Sequence, residues 1–144
     1  MILLGDIGNT DTKVCLVNSN NKIIKKFIFP SKSISLKSLK KIIKYSYLKK
    51  FQIKKSLFCS VVPSSFKIIR KYFKDYFKIK TIEIKSLSVE KIIRTKVNKK
   101  QVGSDRLANA ISVINNKDNF IILDFGTATT FDVVLKDRYK GGVI

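Results

Sequence analysis

Leu3-Leu4-Gly5-Asp6-Ile7-Gly8-Asn9-Thr10, continuing to Lys13-Val14-Cys15-Leu16-Val17, returns in outline as Ile122-Leu123-Asp124-Phe125-Gly126-Thr127, continuing to Thr130-Phe131-Asp132-Val133-Val134-Leu135. Asp6 aligns with Asp124 and Gly8 with Gly126, at a constant offset of 118 residues. Each copy reads as an apolar strand, an aspartate, a glycine turn with small polar residues, and an alternating strand. An internal repeat of this kind decides the fold before any other feature. It implies two related lobes, each opening on a β-hairpin.

The residue types in the repeat suit a phosphate site. Glycine lets the backbone approach a ligand at a tight turn, and successive N–H groups in such a turn make a nest for an anion. Asn9, Thr10, Thr127, Thr129 and Thr130 add donors, and Lys13 adds a positive charge to the first turn. Asp6 and Asp124 would repel phosphate directly, so they act in this reading through a cation or its waters. Two such hairpins facing each other would clamp a nucleoside triphosphate. The same residues are also ordinary hairpin chemistry; it is their duplication at matching strand positions that favours a site. The chain has no GxxxxGK[ST] and no GxGxxG, which excludes P-loop and Rossmann sites.

Between the two copies, the pattern gives a third strand at 23–29, a helix at 35–50, a strand at 56–62 and a helix from Ser64 or Ser65 to Phe77. A strand at 79–84, a short helix and polar loop over 86–100, and a helix at 103–114 follow. After the second hairpin a further strand begins at Tyr139. The expected fold class is α/β: a mixed sheet with flanking helices, forming a first lobe over 1–115 and the incomplete start of a second over 116–144.

The helix at 103–114 begins Gly103-Ser104-Asp105-Arg106. An acid in a first turn is favoured by the exposed N–H groups and the dipole, whatever its function. In the functional reading Asp105 is the general base that accepts a proton from an attacking hydroxyl, and Arg106 anchors an anionic substrate group by a forked hydrogen bond.

Composition removes several classes. There is no histidine, and Cys15 and Cys59 form no CxxC, so zinc sites of the common kinds and histidine catalysis are excluded, and a reducing cytoplasmic setting is the default. No apolar run approaches the ~20 residues of a membrane span, and the N-terminus lacks a basic leader. The net charge of +20 invites a nucleic-acid reading. Its distribution weakens it: residues 22–100 hold 24 Lys/Arg against 3 Asp/Glu, while the motif-bearing remainder holds 6 against 7. Of the 30 cations, 26 are lysine, accompanied by many Ile, Asn and Phe. That is the signature of A/T-rich codons, and no RNP, KH or zinc-finger pattern accompanies it.

With Asp6 to Thr10 and Lys13, Ser60-Val61-Val62-Pro63, Gly103-Ser104-Asp105-Arg106-Leu107-Ala108-Asn109-Ala110, Asp124-Phe125-Gly126-Thr127-Ala128-Thr129-Thr130-Phe131-Asp132 and Gly141-Gly142-Val143-Ile144 in this order, the chain resembles the type III pantothenate kinases. The resemblance runs from residue 1 to residue 144. It implies an actin-like, ribonuclease-H-like fold of two duplicated lobes, a homodimer, and ATP-dependent phosphorylation of the pantothenate hydroxyl on the way to coenzyme A. It further implies Mg2+ and a monovalent cation, K+ or NH4+. Carried over by position, Asp6, Ile7, Gly8, Asn9, Thr10, Asp11, Thr12 and Lys13 form the first ATP-phosphate loop, with Thr127 as an ATP contact from the second. Asp124 matches the monovalent-cation ligand. Gly103, Ser104, Asp105 and Arg106 match the pantothenate-contacting segment, Asp105 being its proton acceptor. Two departures stand out. Lys96 and Lys99 replace an aromatic and a proline of the family pattern, and family members continue past the Gly-Gly-x-Ile strand on which this chain ends. An inactive or regulatory relative of the same fold, and a basic nucleic-acid-binding protein, are the alternative readings. The uncovered apolar face expected on the second sheet predicts that these 144 residues alone do not turn over.

Overall fold

A computed structural model describes residues 1–95, 97–98 and 101–144. Lys96 and Lys99 lie outside the described residues. The chain divides into two compact units, Met1–Glu83 and Ile84–Ile144.

In the first unit, β1 (Ile2–Ile7), β2 (Asp11–Val17) and β3 (Ile23–Pro30) form an antiparallel meander, and β4 (Lys55–Ser60) and β5 (Thr81–Glu83) extend it in parallel on the far side of β1. The strand order is therefore β3-β2-β1-β4-β5. This mixed sheet, with helical crossovers before its parallel strands, is the ribonuclease-H-like arrangement anticipated above. Leu3, Ile7, Val14, Leu16 and Phe58 alternate onto one face, where they pack with Leu39, Ile43, Leu48, Ile69, Tyr72 and Phe73 from the helices.

The single helix expected over 35–50 is broken into α1 (Leu36–Ile42) and α2 (Tyr45–Leu48). Ser35 and Ser38 cap the first reciprocally. The break has a tertiary cause: the buried Tyr72 hydroxyl donates to the Ile43 carbonyl, taking it out of the helical ladder. The cap expected at Ser64 or Ser65 is also absent. α3 (Pro63–Phe77) starts with Pro63 at its first position and Val62 as an N-cap without a side-chain bond. Proline suits that position because its missing N–H would be unpaired there anyway, and the Ser60 hydroxyl accepts the Val62 N–H instead, at 3.1 Å.

The second unit is a four-stranded sheet of order β6-β9-β8-β7. β7 (Asn119–Phe125), β8 (Thr129–Leu135) and β9 (Arg138–Val143) form an antiparallel meander, and β6 (Arg94–Thr95) adds in parallel to β9. α4 (Ser104–Val113) lies on one face, with Leu107 and Ala110 buried among Ile93, Val102, Val134 and Tyr139. The other face is apolar and uncovered, as expected: Ile121, Leu123, Phe125 and Phe131 are all exposed, Phe125 by 77%.

The boundary between compact units falls at 83/84. The segment 84–115 packs with the second sheet because β6 pairs with β9 and α4 covers β7 and β8. Over 86–100, where a short helix and a polar loop are expected, the described residues hold a 3-10 turn at Val89–Lys91 and β6, a strand too brief to show a period of its own.

Candidate active site

The first unit carries the β1–β2 turn of the repeat. Gly8 N–H donates to the Asp11 carbonyl at 3.0 Å and closes it. Ser31 braces the turn from the end of β3. Its N–H donates to the Thr10 carbonyl at 2.8 Å, and its hydroxyl donates to the Gly8 carbonyl at 2.6 Å. Because that proton is committed, the Thr12 hydroxyl, 2.8 Å away, must be the donor to Ser31 Oγ. Thr12 and Ser31 are both buried. The turn is thus held from below by a polar network that engages the carbonyls of Gly8, Thr10 and Asp11.

The residues expected in this loop divide accordingly. Ile7 and Thr12 are fully buried, so their side chains serve the core and the brace. Asp6 and Lys13 sit opposite each other in the β1–β2 register, with Nζ 3.9 Å from Oδ2 and both side chains about half exposed. Cys59, beside Asp6 on β4, donates its thiol to Asp6 Oδ1 at 3.5 Å.

The second unit carries a turn of its own. Asp124 ends the inward run of β7, and Asn109 on α4 donates its amide to Asp124 Oδ2 at 2.9 Å. Gly126 N–H donates to the Ala128 carbonyl at 3.2 Å, and Thr127 is exposed at the tip. The two hairpins are not identical. Paired strands stop at Ile7 and Thr12 in the first and at Phe125 and Thr129 in the second, so the second turn is one residue shorter and Asp124 faces Thr130 rather than a lysine.

Gly103 is the N-cap of α4, and Ser104 behind it is buried. Asp105 Oδ1 accepts the Arg106 N–H at 2.8 Å, so the first-turn role of an acid is realised with one oxygen. A carboxylate offers about four acceptor sites, which leaves capacity for a substrate hydroxyl. Arg106 makes its fork within the chain. Nε lies 2.9 Å and Nη2 2.6 Å from the two oxygens of Asp132, a β8 side chain 1% exposed. Tyr139 on β9 donates its hydroxyl to the same carboxylate. The bond to Asp132 holds the Arg106 guanidinium even more firmly protonated than usual, and burial, followed by Asp132, pushes the Tyr139 hydroxyl up. Two of the five guanidinium N–H groups are spent here, and the others remain for an anion.

The sequence reading assigned no role to Ser31, Cys59, Asn109, Asp132 or Tyr139. One signal was available. Asp132 stands at an inward position of β8, in step with the buried Val134, and a carboxylate there demands a buried partner.

No group of three or more Cys, Asp or Glu side chains is gathered to hold a metal ion among the described residues. Single hard carboxylates remain, Asp6 and Asp124. Mg2+ is commonly held by one or two carboxylates together with substrate phosphates, so the donor set fits such an ion. No helix among the described residues is long and apolar enough to cross a membrane.

The family model for type III pantothenate kinase matches residues 2–144. A type III pantothenate kinase of Pelagibacter ubique is 61% identical over the whole chain, and one of Desulforapulum autotrophicum is 32% identical. The chain spans 58% of the length of each of these curated relatives. Among solved structures, a Ppx/GppA family member of Aquifex aeolicus aligns with 99% of this chain and 49% of its own, at 11% identity and a TM-score of 0.43.

Proposed function

The chain belongs to the type III pantothenate kinase family, and we propose that it carries the phosphate loop and the catalytic base of an enzyme that phosphorylates pantothenate with ATP. The observation that carries the reading is Asp105. It is held at the first turn of α4 by its bond to the Arg106 N–H, and it keeps acceptor capacity next to an arginine that is itself locked in place. In this mechanism Asp105 takes the proton of the pantothenate hydroxyl as that oxygen bonds to the γ-phosphorus. The bridging bond to the β-phosphate breaks, and ADP leaves with the electron pair. Gly103, Ser104 and Arg106 orient pantothenate, the free N–H groups of Arg106 facing its carboxylate. The Gly8–Asp11 turn presents amides to the ATP phosphates, with Lys13 as the local positive charge and Thr127 as a contact from the second turn. Mg2+ with Asp6, and a monovalent cation with Asp124, would neutralise phosphate charge. The resemblance extends the reading to a cytoplasmic homodimer.

Asp105→Asn in a complete kinase is expected to lower kcat by about 10²–10⁴, the usual worth of a positioned base, and to leave ATP binding nearly unchanged. Full turnover in that variant refutes the assignment. The 144-residue chain by itself is expected to be inactive, because the second sheet keeps its apolar face uncovered; measurable phosphorylation of pantothenate by it overturns that expectation.

A further inference from the structure

Away from every motif, α3 and the segment leading into β5 enclose a groove of about 890 Å³. Its walls carry Lys67, Arg70, Lys71, Lys74 and Lys78 from the helix and its cap, with Lys80 from the strand side. Lys67, Lys71, Lys74 and Lys78 recur at spacings of four, three and four residues, with Arg70 beside Lys71, so they form one stripe along α3, about 16 Å long at 1.5 Å per residue. Asp75 is the single acid in the lining. All six cations are exposed, whereas Thr81 at the wall is buried and its hydroxyl has no hydrogen-bond partner. Ser56, its neighbour across the β4–β5 register, likewise holds a buried hydroxyl without a partner.

We propose that this groove binds a small oligophosphate anion. The concavity matters more than the charge count, because a cleft lined by one sign of charge focuses the field that a convex helix face disperses. The C-terminal end of α3 disfavours an anion, but five net positive charges in the lining outweigh a half-charge of opposite effect. Lysine ammonium groups bind phosphate oxygens as point charges, and Arg70 adds a fork that matches phosphate as well. The volume lies within the usual range for small-molecule sites. No lining residue is aromatic, so the groove lacks the stacking platforms on which single-stranded nucleic acids are held.

Isothermal titration of the chain with inorganic tripolyphosphate in 150 mM salt tests this, "150 mM" being about the physiological ionic strength. Saturable one-to-one binding is expected. The pair Lys71→Glu and Lys74→Glu is expected to weaken it by at least about tenfold, since it replaces two charge-assisted contacts by repulsion. The charge-matched pair Lys25→Glu and Lys26→Glu on β3 is expected to change it less than about twofold, because exposed charges beyond a Debye length are screened. All four positions are exposed, so each variant keeps the core. Absence of saturable binding overturns the proposal. So does equal weakening by both pairs, or a single-stranded RNA that binds where tripolyphosphate fails to compete, since either outcome shows diffuse polyanion attraction.

Discussion

Asp132→Ala would remove the centre of the network that locks α4 to the second sheet. The Asp132 side chain is 1% exposed and accepts from Arg106 Nε, Arg106 Nη2 and the Tyr139 hydroxyl. Arg106 is itself only 11% exposed, so the substitution strands a guanidinium in a place water barely reaches. Removing one partner of a buried pair typically costs about 3–5 kcal/mol, a large share of the ~5–15 kcal/mol by which a domain is stable. Tyr139→Phe deletes one hydrogen bond and leaves both charges paired, so it should cost about 1 kcal/mol. The double change Arg106→Met with Asp132→Leu removes both charges into an apolar setting and should recover most of the loss, because a buried ion pair rarely outperforms well-packed hydrophobes. The assay is urea unfolding followed by amide signals of α4 and β8. Such local signals are needed because two compact units need not unfold together. A loss below about 1 kcal/mol for Asp132→Ala would mean the pair is effectively solvated, and the reasoning that makes Arg106 a fixed element of the site would fail.

Two further outcomes follow from the first unit. Ser31→Ala removes the donor to the Gly8 carbonyl and the acceptor for the buried Thr12 hydroxyl; it should destabilise the unit by about 1–3 kcal/mol and speed amide exchange at Gly8 to Asp11, whereas unchanged exchange would show that the turn holds itself. Burial first, then Tyr76, pushes the Tyr72 hydroxyl up to about 12. The folded chain therefore keeps this proton longer than the unfolded chain, whose tyrosines titrate near ~10. The stability it contributes is complete below pH ~10 and is lost as pH rises through about 12. Tyr72→Phe should be less stable than the wild type at neutral pH, for want of the bond to the Ile43 carbonyl, and that gap should close in alkali. A gap constant to pH 12 contradicts the assignment.

What could be read from the sequence was whatever a local pattern encodes. β1, β2, β7 and β8 announce themselves because alternation and a glycine turn are short-range properties, and α4 does so through the spacing of Leu107, Ala110 and Ile111. Apart from the cap of α3, set locally by Pro63, the misses are long-range. The helix over 35–50 breaks because of Tyr72, 29 residues away from Ile43. β6 is two residues long and exists only through its pairing with β9, 44 positions on. The candidate site divides in the same way. Its loop residues were legible, because turn chemistry is local. Ser31, Asn109 and Tyr139 were not, because each acts on a partner supplied by another element.

The repeat that betrayed the fold also misleads if its copies are treated as equals. Asp6 has the Lys13 ammonium across the ladder and a thiol donor from β4, so the negative charge it brings to the first turn is largely balanced in place. A balanced carboxylate leaves the amides of Gly8 to Asp11 to set the local potential, and amides attract phosphate. The second turn is shorter by one residue, and Thr130 stands across the ladder from Asp124 where Lys13 faces Asp6. Asp124 is met instead by the neutral amide of Asn109, which orients the carboxylate without cancelling its charge. An oriented, uncancelled carboxylate favours a cation over a phosphate. In the function proposed above, the first copy seats an anion and the second holds a cation, and the difference rests on Thr130 in place of a lysine across the ladder and on one asparagine supplied by α4.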